Sequence, residues 1–348
     1  MTKNKAFAAH SKAEPLKPFT FERRTCLEND INIDITYCGV CHSDIHMARG
    51  EWGEAPYPLV PGHEIVGRVT EVGSKVKDFK TGDLVGVGCL VDSCQTCSSC
   101  EENLEQYCEN GATMTYASTD KHSGGFTYGG YSQSIVVDKN FVVKVPENLL
   151  EKAVAPLLCA GITTYSPLKH WGVKRGDKVG IVGLGGLGHM GVKLAKAMGA
   201  KVVMITTSKE KAADAKRLGA DEVLISKNTE DMSAQNNTFD FILNTIPVKH
   251  DVAPYMDLLK RDSTMVVVGA FDVLDGVNGG SLIIKRKRLA GSVIGGIKET
   301  QEMLDFCGEH NIVSDVEIIN MDQINEAFDR VVSSDIKYRF VIDMKSLN

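Results

Sequence analysis

The chain lacks the features that would place it in a membrane, on a nucleic acid or outside the cell. No run of apolar residues reaches the length of about 18 that a membrane-spanning helix needs. Residues 1–7 contain nothing like the apolar core of a secretory signal. The formal net charge is −6, so charge does not favour binding to nucleic acids or anionic lipids. These absences predict a cytoplasmic protein that binds neither nucleic acid nor membrane.

The sequence contains no internal repeat and no low-complexity segment. Its 348 residues, 43% hydrophobic and 24% charged, are typical of a globular protein and numerous enough for two domains. Ten cysteines are present without a secretory signal. Cysteines in such a chain usually serve as metal ligands or core residues in a reducing compartment, not as disulfides.

The sequence pattern changes at about residue 160, which divides the chain into two regions. Within the first 150 residues, apolar and polar residues alternate over short stretches such as 31–36, which predicts short strands joined by irregular loops. After about residue 160, strand-like segments such as 179–182 and 202–205 alternate with helical ones such as 187–198. This alternation predicts an α/β region with a parallel, doubly wound sheet.

A basic run at residues 285–288 has apolar residues on both sides. A localisation signal is one interpretation, but basic runs are weak indicators outside a basic context. We therefore expect the solvated edge of a strand here.

Four cysteines lie close together in the sequence, at Cys94, Cys97, Cys100 and Cys108. Four thiolates at this spacing can surround one zinc ion and leave no position for a substrate, so the metal would be structural. The alternatives are a disulfide cluster and an iron–sulfur cluster, although the bacterial iron–sulfur pattern needs a closer fourth cysteine followed by proline. The spacing favours structural zinc.

A Gly-x-Gly-x-x-Gly motif follows a predicted strand and opens a predicted helix. In this context the glycines let the backbone approach a pyrophosphate, and the helix N-terminus presents free N–H groups to it. The alternative is an ordinary glycine-rich turn. The motif predicts a dinucleotide site at Gly183, Gly185, Gly186, Leu187 and Gly188.

The end of the next predicted strand indicates which dinucleotide binds. An NAD site usually has an acidic residue there for the ribose hydroxyls, whereas this chain has Thr206. Hydroxyl and ammonium groups suit a 2′-phosphate, although they could instead only cap the next helix, and Glu210 is an acidic exception. We predict NADP(H), bound through Thr206, Thr207, Ser208, Lys209 and Lys211.

Cys41, His63 and Cys159 are candidate ligands of a second metal. Two thiolates and one imidazole would leave zinc a fourth, open position. Taken singly, each residue is more often an inert core cysteine or a hydrogen-bonded structural histidine. Beside a structural zinc site and a dinucleotide motif, the set predicts a catalytic metal.

These segments together resemble the zinc-dependent medium-chain alcohol dehydrogenases, specifically the cinnamyl alcohol dehydrogenase branch, which includes bacterial broad-range NADPH-dependent aldehyde reductases. Besides the four cysteines and the glycine motif, the similar stretches are residues 39–46, 61–67, 158–165 and 295–300. The resemblance implies two zinc ions per chain and NADP(H). It also implies interconversion of primary alcohols and aldehydes, aromatic or of medium chain length, with aldehyde reduction favoured.

The resemblance further implies the fold. A GroES-like, β-rich catalytic domain would comprise residues 1–155 and 294–348, with a structural zinc lobe at about 89–110. A Rossmann domain with a doubly wound parallel sheet, at residues 156–293, would bind NADP(H). A homodimer is typical of the branch.

Individual roles follow from the same resemblance. Cys41, His63 and Cys159 would bind the catalytic zinc, and Glu64 behind it could enter the coordination sphere. Ser43 and His46 would form a proton relay, although Ser43 could also be a helix N-cap. Two further residues would contact the cofactor: His42 and, near the nicotinamide, Thr163.

The substrate pocket of the family is lined by apolar and aromatic side chains. Candidates by position are Trp52, Tyr57, Met114, Val293 and Ile297, of which Trp52 could equally be ordinary packing. A polyol or formaldehyde dehydrogenase is a competing enzyme, but its NAD-linked forms fit Thr206 poorly. A non-catalytic, zinc-stabilised NADPH sensor is the alternative outside enzymes, and it would need only the structural zinc.

Overall fold

The computed structural model describes residues 2–269 and 273–347. It forms two compact units, the first comprising Met1–Cys159 with Gly295–Asn348 and the second Ala160–Ile294. The chain therefore passes between the units twice, after Cys159 and after Ile294.

The first unit is built mainly from short strands. Its N-terminal part contains β1 (Thr2–Ala8), β2 (Lys17–Arg23), β3 (Asp30–Gly39), α1 (His42–Ala48), β4 (Ile65–Val72), β5 (Leu84–Val87), β6 (Leu90–Asp92), α2 (Ser98–Glu101), β7 (Thr113–Met114), β8 (Ser134–Asp138), β9 (Val143–Lys144) and α3 (Glu151–Val154). Strand β3 pairs antiparallel with β4 and with β8, and its Ile31, Ile33 and Ile35 are buried. The predicted alternation thus places one face of β3 in the core.

The second unit alternates helices and strands. It contains α4 (Ala160–His170), β10 (Lys178–Val182), α5 (Gly186–Ala197), β11 (Lys201–Thr206), α6 (Ala212–Leu218), β12 (Glu222–Ile225), α7 (Thr229–Ala234), β13 (Phe239–Asn244), α8 (Ala253–Leu258), β14 (Leu259–Val267), α9 (Gly279–Lys285) and β15 (Arg288–Gly291). The strands form a sheet in the order β12-β11-β10-β13-β14-β15, and all of these neighbours pair in parallel. This is the predicted doubly wound α/β sheet.

Helix α5 shows why the predicted elements form. Met190 and Leu194 of its apolar stripe are fully buried, as expected for a helix packed on a sheet. The helix ends before Gly199, whose φ of +85° is readily accessible only without a Cβ. The neighbouring strand β10 is buried over most of its length, which is typical of a central parallel strand.

The C-terminal segment completes the first unit. It contains α10 (Ile297–His310), β16 (Val316–Asn320), α11 (Ile324–Val332) and β17 (Arg339–Asp343). Strand β17 lies between β16 and β3 in the sheet and pairs antiparallel with β3. This pairing brings residues from opposite ends of the sequence together at the end of β3.

Two sequence expectations were wrong in detail. The apolar residues before the basic run belong to helix α9, not to a strand, and Lys287 is buried, with Nζ donating to Met256 O at 2.7 Å. The sequence pattern of residues 255–260 predicts a helix throughout, but α8 ends at Leu258 and Lys260 lies in β14. In both places short apolar runs fit helix and strand equally well, and tertiary packing decides.

In the part of the chain that the structure describes, no helix is both long and apolar enough to cross a membrane.

Candidate metal centres and nucleotide site

The first candidate metal centre combines three segments of the first unit. Cys41 precedes α1, His63 and Glu64 precede β4, and Cys159 follows a 3-10 turn at Ala155–Leu158. One possible ligand atom from each of these four residues lies within 4.8 Å of the others. The structure therefore brings together the three predicted ligands and the carboxylate expected behind them.

Asp44 organises this centre from a fully buried position on α1. Its carboxylate accepts hydrogen bonds from Cys41 N and Gly62 N, both at 3.0 Å, and from the Tyr131 hydroxyl at 3.2 Å. Asp44 Oδ1 also lies 3.0 Å from His63 Nδ1. An acceptor at Nδ1 favours the tautomer with hydrogen there, which leaves Nε2 as the ligand atom.

Glu64 is fully buried and paired with Arg339 from β17. Arg339 donates from Nη2 to Glu64 Oε1 and, at 3.0 Å, to Val40 O. Burial raises the pKa of Glu64 to about 7, although the Arg339 charge acts in the opposite direction. The other carboxylate oxygen, Oε2, is buried without a hydrogen-bond partner among the described residues. Such an orphaned oxygen fits a nearby cation.

The thiols of the centre also fit a cation. The pKa of Cys41 lies well below its ordinary value, chiefly because Cys159 donates a hydrogen bond to its sulfur, which outweighs the effect of burial. Cys89, which follows β5, also forms a side-chain hydrogen bond with Cys159, and this bond lowers the Cys89 pKa. Two thiols and one imidazole, with the buried carboxylate of Glu64 beside them, form a donor set that zinc prefers.

The second candidate metal centre is the cysteine lobe, defined here as residues 94–108. The ligand sulfurs of Cys94, Cys97, Cys100 and Cys108 lie within 4.8 Å of one another, and all ten cysteines of the chain are free. The disulfide alternative is therefore wrong.

Hydrogen-bond donors surround the lobe sulfurs. Cys97 N donates to Cys94 Sγ at 3.3 Å, and Cys94 N donates to Cys108 Sγ at 3.4 Å. The pKa of Cys94 falls to about 5, chiefly through a hydrogen bond from the Asn110 side chain, whereas burial raises the pKa of Cys100 to about 11. Donors aimed at sulfur suit thiolates, so this lobe fits a closed four-sulfur zinc site.

The glycine motif lies between β10 and α5 of the second unit. Gly183 has a φ of +91°, and a Cβ on Gly188 would lie 1.8 Å from Gly183 O, so both positions require glycine. A Cβ on Gly185 would meet nothing within 4 Å. Gly185 is also the N-cap of α5 and makes no side-chain cap, which leaves N–H groups for an anion. This cradle fits a dinucleotide pyrophosphate.

The residues predicted to bind the 2′-phosphate follow β11. Thr206 ends that strand and accepts a hydrogen bond from Ser208 N at 3.4 Å. Lys211 donates from Nζ to Leu184 O of the glycine motif at 3.3 Å. Ser208 donates its hydroxyl to the Glu210 carboxylate. Glu210 thereby engages one of the residues predicted to bind the 2′-phosphate. Thr207 and Lys209 belong to the same segment.

The proposed relay residues lie on α1. Cys41, not Ser43, is the N-cap of this helix, so the N-cap interpretation of Ser43 was wrong. His46 Nδ1 forms a hydrogen bond with Glu51, and the His46 ring stacks on Trp52 with centroids 4.9 Å apart. No hydrogen bond joins Ser43 to His46 within residues 2–269 and 273–347.

The remaining candidates differ in their surroundings. Trp52, Met114 and Val293 are exposed by 46%, 42% and 38%. Tyr57 donates its hydroxyl to Ala48 O at 3.2 Å, and Ile297 is the first residue of α10. His42 is exposed on α1, and Thr163 is buried in α4.

Sequence reasoning missed several residues of the first centre. Asp44 belongs to the recognised stretch 39–46, so its spacing from Cys41 was a usable signal. Glu51, Cys89 and Arg339 carried no such signal, because only folding brings them to the site.

Two family models match this chain. The family model "Alcohol dehydrogenase GroES-like domain" matches residues 27–147, and "Zinc-binding dehydrogenase" matches residues 186–309. The chain is 56% identical over 348 residues to aldehyde reductase YahK of Escherichia coli (strain K12), covering 99% of each chain.

Two solved structures share the whole fold. A cinnamyl alcohol dehydrogenase from Sorghum bicolor has a TM-score of 0.95 at 44% identity, with 99% of this chain and 98% of that chain covered. A cinnamyl alcohol dehydrogenase from Helicobacter pylori complexed with NADP(H) has a TM-score of 0.92 at 44% identity and the same coverage. The chain belongs to the zinc-dependent medium-chain alcohol dehydrogenases, in their cinnamyl alcohol dehydrogenase branch.

Proposed function

We propose that this zinc- and NADP(H)-dependent oxidoreductase, which interconverts alcohols and aldehydes, reduces aromatic and medium-chain aldehydes to primary alcohols with NADPH. The observation that carries the proposal is the grouping of Cys41, His63 and Cys159 with Glu64. Three protein ligands leave one coordination position for a reactant, which is typical of catalytic zinc. The related proteins named as an aldehyde reductase and as cinnamyl alcohol dehydrogenases support the substrate class.

We assign the catalytic zinc to Cys41 Sγ, Cys159 Sγ and His63 Nε2, and the structural zinc to the four sulfurs of the cysteine lobe. When bound, zinc supplies Lewis acidity at the substrate oxygen, and the nicotinamide supplies or accepts hydride. Asp44 fixes the orientation of His63 and the backbone of Cys41. Arg339 holds one oxygen of Glu64, which restricts the position of this carboxylate.

Proton transfer is assigned to Ser43 and His46. Reduction of an aldehyde requires a proton at the oxygen, and a histidine can deliver one near neutral pH. Glu51 accepts from His46 Nδ1 in the favoured tautomer, which leaves Nε2 available to exchange a proton. His46 and its partner are partly exposed, so solvent can restore the proton.

Cofactor choice is assigned to the segment after β11. The hydroxyl of Thr206 replaces the carboxylate that an NAD site would carry, which removes a repulsion on the 2′-phosphate. Thr207, Ser208, Lys209 and Lys211 supply donors for that phosphate, and Thr163 and His42 are proposed to contact other parts of the cofactor.

A direct test follows NADPH oxidation with cinnamaldehyde, benzaldehyde and hexanal, with NADH as the alternative cofactor. We expect zinc-dependent turnover that strongly favours NADPH and is lost on chelation. Absence of turnover with either cofactor, in protein shown to hold two zinc ions, would contradict the proposal and favour a non-catalytic NADPH sensor. That sensor is not favoured by the comparisons.

We also propose a homodimer formed through the β15 edge of the second unit. Strand β15 pairs only with β14 among the described residues, and α9 before it exposes Ile283 and Ile284 by 79% and 78%. A second copy related by a two-fold axis would extend the sheet and cover this apolar surface. Light scattering should show a dimer that Ile283→Asp dissociates; a wild-type monomer would exclude it.

We further propose domain limits of 1–155 with 294–348, and of 156–293, and a cytoplasmic location. The residues proposed to contact the substrate are Trp52, Tyr57, Met114, Val293 and Ile297. Small aliphatic Val293 and Ile297 suit a permissive pocket.

A further inference from the structure

The cysteine lobe is attached to the N-terminus of α10. Glu105, on a 3-10 turn of the lobe, accepts a hydrogen bond at Oε2 from Ile297 N at 3.0 Å. The two residues are 192 positions apart in the sequence. A carboxylate that accepts from the first N–H of a helix also interacts favourably with the positive end of the helix dipole. Glu105 thus takes the place of a local cap for α10.

Gly296 shows how closely the lobe approaches this helix. A Cβ at Gly296 would lie 1.9 Å from Asn103 O and 2.7 Å from Glu105 Oε2. Gly296 is the N-cap of α10 and has no side chain with which to cap it. The backbone at this position therefore packs directly on the lobe, and only glycine fits.

This contact lies where the chain returns from the second unit to the first. Ile294 is the last residue of the second unit, and Gly295 is the first residue after the return. Ile294 has a φ of +37°, a conformation that is strained for a β-branched residue. Such a conformation persists only where the surrounding structure fixes the chain, and the lobe contact at Gly296 lies two residues further along.

The position of Ile297 gives the contact a consequence for the reaction. Ile297 is a proposed pocket residue, and its own backbone N–H is the group that Glu105 binds. The lobe contains no proposed catalytic ligand, and its contacts with Gly296 and Ile297 connect it to a proposed pocket residue through the backbone.

We propose that Glu105 is a positioning residue for the reaction: by fixing Gly296 and Ile297 against the cysteine lobe, it sets how the enzyme discriminates between aldehydes of different bulk. This proposal rests on the function proposed above. It assigns to the cysteine lobe a role in selectivity in addition to stability.

The test compares Glu105→Ala with Glu105→Gln and with Glu102→Ala as a control. Glu102 belongs to the same lobe but is exposed, and its substitution leaves the α10 contact intact. Gln keeps an oxygen that can accept from Ile297 N, so Glu105→Gln should restore most of what alanine removes. Gly296→Ala should act like Glu105→Ala, because the added methyl group displaces the backbone from Asn103 O.

Two readouts decide the result in enzyme shown to retain both zinc ions. Hydrogen exchange of the peptide containing residues 295–300 should accelerate about tenfold in Glu105→Ala and remain unchanged in Glu102→Ala. The ratio of kcat/KM for cinnamaldehyde to that for hexanal should change by about five- to tenfold in Glu105→Ala, in line with the loss of one charge-assisted hydrogen bond.

Unchanged exchange in Glu105→Ala would overturn the proposed contact. Accelerated exchange with an unchanged ratio, even if overall activity fell, would overturn the role in selectivity and leave Glu105 structural. If the wild-type enzyme reduced no aldehyde, the proposed function itself would fail and the selectivity role with it, while the exchange measurement would still report on the contact.

Discussion

Asp44 Oδ1 lies 3.0 Å from His63 Nδ1, and the same carboxylate accepts the backbone N–H of Cys41. One buried side chain thereby orients two of the three proposed ligands of the catalytic zinc. The Cys41–Asp44 spacing gives α1 a capping box, so the start of the helix and the metal centre depend on the same residue.

Asp44→Asn tests this dependence. The amide can keep one acceptor but places an NH₂ group against backbone N–H donors or His63, so the ligand orientation is lost. We expect zinc affinity or kcat/KM to fall by about 10–100-fold. Zinc content after dialysis against a mild chelator measures the effect. Tyr131→Phe, which removes a single hydrogen bond to Asp44, should have a smaller effect; equal effects would contradict the central role of Asp44.

Cys159→Ala removes one ligand of the proposed catalytic zinc while leaving the cysteine lobe and the glycine motif unchanged. Turnover should be abolished, and zinc content should fall from two ions per chain to one. NADPH binding, followed by fluorescence titration, should remain close to wild type. Retained turnover would exclude Cys159 as a ligand.

Cys100→Ser tests the metal centre of the cysteine lobe without changing a ligand of the proposed catalytic zinc. The lobe should lose its zinc and unfold locally, because the apparent binding energy of such sites is a large part of their stability. We expect the melting temperature to fall, with little change in the kinetic constants of the protein that remains folded. Cys26→Ser is the matched control, since Cys26 is a free thiol outside both centres. Full zinc content and stability in Cys100→Ser would contradict a structural site.

Thr206→Asp should shift cofactor preference toward NADH. The new carboxylate can bind ribose hydroxyls and repels the 2′-phosphate, so the NADPH-to-NADH ratio of kcat/KM should fall about tenfold or more. Glu210→Gln should change the ratio in the opposite direction, because it removes an acidic group that binds Ser208. Unchanged ratios in both variants would mean that other residues recognise the phosphate.

His46→Gln tests the relay. Loss of the group that exchanges protons should lower kcat by about 10²-fold or more, with little change in KM for NADPH. Glu51→Gln should have a smaller effect of the same kind, since it removes only the acceptor at Nδ1. Rescue of His46→Gln by small imidazole-like bases would support the assignment, whereas wild-type kcat in His46→Gln would contradict it.

The sequence predicted regular elements well where hydrophobic periodicity was long, as in α5 and the strands beside it. It failed at short apolar runs: residues 282–284 form the end of a helix, and Lys260 belongs to a strand. In both cases the packing of the second unit selects the structure. Ser43 likewise could not be placed relative to the helix N-cap until the backbone around Cys41 was known.

By itself, the sequence determined the features whose residues are close together along the chain. The four lobe cysteines and the glycine motif each occupy a short segment, so spacing and residue type were enough to predict zinc and dinucleotide chemistry. The tertiary structure alone decided which groups support them. Arg339 reaches Glu64 across 275 residues because β17 pairs with β3, and Glu105 reaches Ile297 across 192 because the lobe packs on α10. Such contacts depend on strand pairing and packing between distant segments, which local sequence patterns do not encode.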